Sequence, residues 1–296
     1  MANIESKPRV LIAISGGATT ADAVLSAHLH HKLDGIEIAG VMASRKDAGG
    51  KIKPNLSKYT FLPNQEIRVI NPYSFKTDGG ENDRKKYGEA IVSYMDEIGA
   101  DAVAQLGFIP MMPQNVVERA NWVINQHPGP LDPGRVDKVT GEQLDFGGRG
   151  MRGSAVTVAR LAYVWATGKD YWTESTVHFV TPEEQHDRGK LVSVARLDIP
   201  WATPSVKGWR APISIEEIRA GYLDELYHTT GDVQKDLLEL EHQNVIAALQ
   251  QFEDNRKPKG FLRAVPLVAA GNETILFQAK ELGKQMAPKG DLLKAA

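Results

Sequence analysis

The chain has 296 residues, enough for one large domain or two small ones around a sizeable core. Apolar residues make up 42% and charged residues 24%, and 35 Lys plus Arg against 37 Asp plus Glu leave a net charge of −2, so no basic field is available to gather nucleic acid. Cysteine is absent, which excludes disulfide frameworks, thiolate nucleophiles, Cys-ligated zinc and iron–sulfur clusters together.

The first apolar run, Val10 to Ile14, is too short to span a bilayer and has no small-residue cleavage pattern after it. A soluble, cytoplasmic α/β protein without membrane contact is expected. The same run is continuous and β-branched, as a fully buried strand should be, and leads into Ser15-Gly-Gly-Ala-Thr-Thr20 and a helix over Ala21 to Leu29. A buried strand, a Gly-rich turn and a helix open a doubly wound parallel sheet. Ile36 to Met42 predicts a second strand, Asp47 to Asn64 an irregular loop, Ile67 to Ile70 a third strand and Asp83 to Ile98 an amphipathic helix. Ala100 to Leu106 is another buried strand, and the prolines of Gly107 to Pro113 make the next segment a loop. Val116 to Arg119 is a helical turn and Trp122 to Asn125 a strand.

The βα alternation then changes. Gly129 to Gly150 is loop-like, Ala155 to Ala166 a helix, and Ser175 to Thr181 and Leu191 to Leu197 two strands. Residues 213–256 are mostly helical with a break expected at Thr229-Thr230-Gly231. From Lys257 come a Pro/Gly linker, a strand pair (Phe261 to Val268, Thr274 to Phe277) and a Lys-rich end, expected as an appendage.

Three clusters could carry chemistry. Ser15 to Thr20 offers backbone N–H groups and hydroxyls to an anion, or is a tight strand-to-helix turn with Thr capping; it has neither the P-loop lysine nor the dinucleotide fingerprint. Asn125 and His127 lie at i and i+2, so an extended strand turns both to one face, where an amide and an imidazole can polarise a carbonyl and move a proton; the alternative is a strand-end His satisfied by the backbone. In Pro182-Glu-Glu-Gln-His-Asp-Arg-Gly189, Asp187 is either a turn residue or a carboxylate that tunes a histidine. The remaining histidines show no metal-ligand spacing, so no metal site is expected.

The order of these clusters resembles the folate-dependent formyltransferase family, and within it the glycinamide ribonucleotide transformylases. The matching stretches are Val10 to Gly17, Ala102 to Ile109, Val123 to Pro128 and Thr176 to Thr181, followed by Asp187-Arg-Gly189 and Glu241-His242, and together they cover residues 9–256. The resemblance implies an α/β, doubly wound, mostly parallel formyltransferase fold over residues 1–258, with a C-terminal extension over 259–296. It implies a formyltransferase that moves a formyl group from 10-formyltetrahydrofolate to an amine, with Asn125, His127 and Asp187 as catalytic residues. Asn and His would donate to the developing oxyanion and help carry the proton to the folate nitrogen, while Asp tunes the His. Folate contacts would fall to Arg84, to the loop Ile109, Pro110, Met111 and Met112, and to Asn125. Ala18, Thr19 and Thr20 would hold the acceptor's phosphate and Glu241 its ribose. Arg149 and Arg152, which the family pattern lacks, either reach an anion from their Gly-rich stretch or neutralise nearby carboxylates such as Asp145.

Several residues depart from the family. Ala18 and Thr20 replace a second Gly and an Asn, Pro110 replaces a basic residue, and Asp132 to Phe146 is an insertion. The expected partner is a small phosphorylated amine, glycinamide ribonucleotide first among them, with no metal, nucleic acid or membrane and with room for a homodimer. The alternatives are a folate-dependent deformylating hydrolase, in which water replaces the amine, and a catalytically silent folate-binding module.

Overall fold

The computed structural model describes residues 7–181, 186–204, 212–252 and 257–287. Seven strands, β1 (Arg9–Ile14), β2 (Glu37–Ala43), β3 (Ile67–Val69), β4 (Ala102–Gln105), β5 (Trp122–His127), β6 (Trp172–Phe179) and β7 (Leu191–Asp198), form one sheet in the order β3-β2-β1-β4-β5-β6-β7. The first five pair in parallel, and β6 and β7 run antiparallel at the edge. Val10 to Ile14 are fully buried on both faces, which explains a strand that is apolar at every position instead of at alternate ones.

The chain fills one side of the sheet through β2 and β3 and then returns to fill the other through β4 and β5. The winding therefore reverses between β1 and β4, and a crevice opens at their carboxyl ends. Ser15 stitches the two sides of that crevice together. Its N–H donates to the Gly107 carbonyl (3.1 Å), its Oγ accepts from the Ile109 N–H (2.9 Å), and the same Oγ lies 2.7 Å from Ser44 Oγ.

Helices α1 (Thr19–Leu29) and α6 (Leu223–Gln250) cover one face of the sheet with Val24, Leu25, Val245 and Leu249. Helices α2 (Arg84–Ile98) and α3 (Gln114–Arg119) cover the other with Ile91, Met95 and Val116. A second core is built on α4 (Ser154–Thr167), in which every residue from Ala155 to Ala166 is buried. A helix apolar all round needs partners all round. It finds them in the sheet edge, in α5 (Ile215–Gly221), and in α7 (Glu273–Met286), where Leu276, Ala279 and Leu282 join its cluster. Gly283 sets how close α7 can lie: a β-carbon there would stand 2.3 Å from the Ala155 carbonyl oxygen and 3.0 Å from Ala159 Cβ. Arg160 is the one charge on this buried helix. Its guanidinium donates to the Trp172 (2.7 Å) and Asp170 (2.6 Å) carbonyls and stacks 4.3 Å above the Trp172 ring.

Two expectations are corrected. The helical stretch does not break at Thr229-Thr230-Gly231; α6 runs through it, and the break falls at Tyr222, between α5 and α6. Thr229 and Thr230 are buried, and this packing outweighs a helix-propensity cost of about 1 kcal/mol or less per residue. The strand pair near the C-terminus is also absent. Phe261 makes a single bridge to Leu191, and Thr274 to Phe277 belong to α7, which packs into the core and does not stand off from it. Pro182 to Gln185, residues 253–256 of the expected helical stretch and the Lys-rich end at 288–296 lie outside the described residues. Among those described, no helix is long and apolar enough to cross a membrane.

Candidate active site

The carboxyl end of β5 enters the crevice with Asn125 and His127 on one face, as their spacing requires. β6 adds what spacing cannot show. Its antiparallel register sets His178 directly opposite Asn125 and Thr176 opposite His127. The His178 Nδ1–H donates to the Phe179 carbonyl (2.8 Å), which leaves Nε2 as the acceptor for Asn125 Nδ2 at 3.2 Å. The second N–H of the Asn125 amide remains for a ligand. His127 is 3% exposed, and its Nε2–H donates to the Phe146 carbonyl (3.1 Å). Its lone pair is thereby placed on Nδ1, which faces Asp187 Oδ2 at 3.8 Å.

Asp187 serves both readings of its motif. It occupies the turn between β6 and β7 at φ 56, a left-handed conformation that Asp tolerates better than most side chains, and from there it points at both histidines. Oδ1 lies 3.4 Å from His178 Nε2, and Oδ2 accepts the Gly148 N–H at 2.9 Å. Burial by itself would raise this carboxyl; the neighbouring His127 and His178 imidazoles and the Gly148 N–H overcome burial and hold it well below the ordinary carboxylate range. For His127, burial is the largest influence and lowers its pKa, while Asp187 works against that shift. The resting pair is therefore an aspartate beside a neutral imidazole.

These groups sit in a cleft of about 1160 Å³, at the upper end of what one small-molecule ligand fills and roomy enough for two. Phe108, Ile109, Met111 and Met112 supply an apolar wall, with Pro110 beside them. Gln126 Nε2, Thr157 Oγ1 and Thr181 Oγ1 belong to residues of the cleft wall, are buried and have no hydrogen-bond partner among the described residues, so they are ready-made contacts for a polar ligand edge. Ala18, Thr19 and Thr20 line the opposite end, where α1 starts on a left-handed Ala18 with no side-chain cap; the Thr capping considered for this turn is not made. Arg45, paired with Asp47, shares this end. Glu241 reaches the cleft from α6. Burial raises its carboxyl to about 7, tempered by the neighbouring Gln126 amide, although Gln126 Nε2 is outside hydrogen-bonding geometry.

Arg149 and Arg152 also line the cleft and are exposed. Among the described residues neither makes an ion pair, and Asp145 is occupied otherwise, by the N–H groups of Asp132 (2.7 Å) and Gly147 (2.8 Å). Arg84 is the exception among the expected site residues. It lies exposed in the first turn of α2 and is not part of the cleft wall. Sequence reasoning missed His178, Gln126 and Arg45 as site residues, as well as the backbone groups of Phe146 and Gly148. A histidine inside the apolar strand Thr176-Val-His-Phe-Val180 was the one available signal. Among the described residues, no group of three or more His, Asp or Glu is arranged to hold a metal ion.

No protein-family model and no curated protein sequence matches the chain. Solved structures do. The chain is similar to glycinamide ribonucleotide transformylase 1 from Symbiobacterium toebii, with 18% identity and a TM-score of 0.55 over 87% of this chain and 93% of that one. It is similar to the phosphoribosylglycinamide formyltransferase from Coxiella burnetii, with 20% identity and a TM-score of 0.55 over 89% and 97%. It is also similar to a formyltetrahydrofolate deformylase from Pseudomonas putida, with 14% identity and a TM-score of 0.53 over 88% of this chain and 70% of that one. Its seven-stranded, mostly parallel sheet with flanking helices has the formyltransferase fold.

Proposed function

We propose that this protein transfers a formyl group from 10-formyltetrahydrofolate to a phosphorylated primary amine, with glycinamide ribonucleotide the first candidate. The observation that carries this reading is the convergence of Asn125, His127 and Asp187 at the end of β5, in a cleft with an apolar wall on one side and an anion-ready helix start on the other. The folate supplies an activated formyl carbon. The protein supplies the rest: the free Asn125 N–H meets the charge that develops on the formyl oxygen, and His127 Nδ1 takes the proton released by the attacking amine. Asp187 steadies the imidazolium formed, which can return that proton to the departing folate nitrogen. Atoms and charge then balance, with formyl and proton exchanged between the two nitrogens.

The apolar loop from Phe108 to Met112 suits a flat heterocycle, and the unpartnered Gln126 and Thr181 atoms suit its polar edge. Thr19, Thr20 and the first N–H groups of α1, with Arg45 nearby, suit a phosphate. Arg152 is placed to add a bidentate contact, and Glu241 to meet a hydroxyl. Incubation with 10-formyltetrahydrofolate and a panel of amines, read by product mass, tests the reading. Formylated glycinamide ribonucleotide is expected, together with a raised KM for phosphorylated acceptors in Arg152→Ala. Equal rates for phosphate-free amines, with an unchanged KM in that variant, would remove the phosphate role. Formate as the sole product would replace transfer by hydrolysis.

The electrostatics of the pair give a second test. Neutral His127 is the competent form, so kcat/KM falls on the acid side as His127 protonates. The Asp187 charge raises the His127 pKa, and Asp187→Asn removes that contribution, so the acid limb moves to lower pH. The Gly148 N–H keeps an acceptor in this variant, and the loss of rate is expected to stay below about 10²-fold. Glu241 titrates near 7 and is silenced in a Glu241→Gln background for the measurement. An acid limb that does not move shows that Asp187 and His127 are uncoupled.

A further inference from the structure

Two segments that depart from the family pattern, the insertion at 132–146 and the C-terminal extension, meet beside the catalytic groups. Asp145 lies where they meet. It is fully buried and stands outside the cleft wall. Its Oδ2 accepts the Asp132 N–H (2.7 Å) and its Oδ1 the Gly147 N–H (2.8 Å). One carboxylate thus joins the first residue of the insertion to the residue just past its end. The neighbours of Gly147 on either side are the two that hold the catalytic pair: the Phe146 carbonyl accepts from His127 Nε2, and the Gly148 N–H donates to Asp187. Gly147 is itself packed against that pair, since a β-carbon on it would stand 2.9 Å from Asp187 Cβ. Any shift of this neck moves both orienting groups together.

The extension grips the same neck from outside. Arg263 Nε donates to the Leu131 carbonyl (2.7 Å), and the Leu267 N–H donates to Asp132 Oδ2 (3.3 Å). Lys280 of α7 is 7% exposed and donates to the Gln143 carbonyl (3.3 Å), close before Asp145 in the chain. A buried carboxyl serves two N–H donors best when both oxygens are free to accept, which ionisation secures. Burial opposes that ionisation and raises the Asp145 carboxyl to about 6; the Lys280 charge is the largest influence restraining the rise. Burying two charges is costly, and neither is a group that the formyl transfer itself employs.

We propose that Asp145 is a positioning residue for His127 and Asp187, and that Lys280 gives the C-terminal extension its part in holding the Asp145 clamp. The proposal deepens the formyl-transfer reading and rests on it for the role of His127. The clamp fixes where the Phe146 carbonyl stands, and that carbonyl decides which His127 nitrogen carries the proton. With Nε2 as the donor, Nδ1 is left as the base beside Asp187. A displaced carbonyl would let the proton sit on either nitrogen and spoil that assignment.

Asp145→Asn leaves one acceptor for two N–H donors, and Lys280→Met keeps the stem without the charge. In each, kcat is expected to fall at least about ten-fold while both KM values stay within about two-fold. The loss acts through His127, so in a His127→Gln background neither substitution should lower the residual single-turnover rate further, as general loosening would. Ring nitrogen NMR at neutral pH reads the clamp without turnover. His127, assigned by its absence in His127→Gln, is expected as the Nε2–H tautomer in the native protein and as a tautomer mixture in both variants. That change in a protein without formyl transfer would overturn the reaction and support the clamp. Circular dichroism confirms the fold, and Asp145→Asn/Lys280→Met, with both charges removed, replaces any single variant that does not fold. A folded Asp145→Asn protein with native kcat and tautomer overturns the proposal, as does an undiminished loss in the His127→Gln background. Native kcat in Lys280→Met alone overturns the extension's part in it.

Discussion

His127→Ala is expected to lower kcat by about 10²–10⁴-fold with the sheet intact, the range that general acid–base groups supply. His127 is the titratable group at the end of β5, and its Nδ1 lone pair faces the Asp187 carboxylate that steadies the proton it takes. Its structural contribution is small: the hydrogen bond to the Phe146 carbonyl, whose loss costs about 1–3 kcal/mol out of the roughly 5–15 kcal/mol that holds a domain together. His127→Gln separates the two roles, because a glutamine amide can still donate to Phe146 but cannot accept a proton at neutral pH. Circular dichroism and thermal melting would confirm the fold, and single-turnover kinetics would measure the chemical step. Retention of more than half the wild-type rate in either variant removes His127 from the mechanism.

The second large effect comes from a residue with no side chain. In Asp187-Arg188-Gly189, a β-carbon on Gly189 would stand 1.6 Å from the Phe179 carbonyl oxygen and 2.5 Å from its carbon. Both are backbone atoms of β6, so neither can swing aside. Gly189→Ala must push the turn away from β6, and Asp187 moves with it. Overpacking of this kind costs typically about 1–3 kcal/mol, which lowers Tm by roughly 2–4 °C per kcal/mol in a chain of this size. Activity should fall further than stability, because a 1 Å misplacement of a catalytic group is worth about 10²-fold. A Gly189→Ala protein with wild-type kcat and Tm would show that the turn does not hold Asp187 in place.

Local features were legible in the sequence, and features made by distant pairing were not. β1, the Gly-rich turn and α1 follow from a continuous apolar run and its punctuation, and Asn125 and His127 follow from strand alternation, since each signal lies within a few residues. His178 reaches Asn125 through an antiparallel register that no local pattern specifies. The carbonyl of Phe146 and the N–H of Gly148, which orient His127 and Asp187, are groups that every residue carries, so their use leaves no mark on composition. The break expected at Thr229-Thr230-Gly231 shows the opposite failure: a correct local preference overruled by burial. Arg84 shows that a motif match fixes position along the chain but not proximity to the cleft.

The docking of α7 on α4 also sets an order of assembly. α4 is buried at every residue from Ala155 to Ala166, and α7, which covers one side of it, lies far downstream in the chain. Ribosomes add about 5–20 residues per second, so α4 is complete for several seconds before its cover exists, and its exposed face is then a target for chaperones or for self-association. Contacts of such high sequence separation also form slowly, because a long loop must close first. The loop from Gly147 to Gly153 that feeds α4 also borders the cleft. α7 adds Lys284 to the same cleft wall, so a chain in which α7 has not yet docked on α4 lacks part of the border of its cleft.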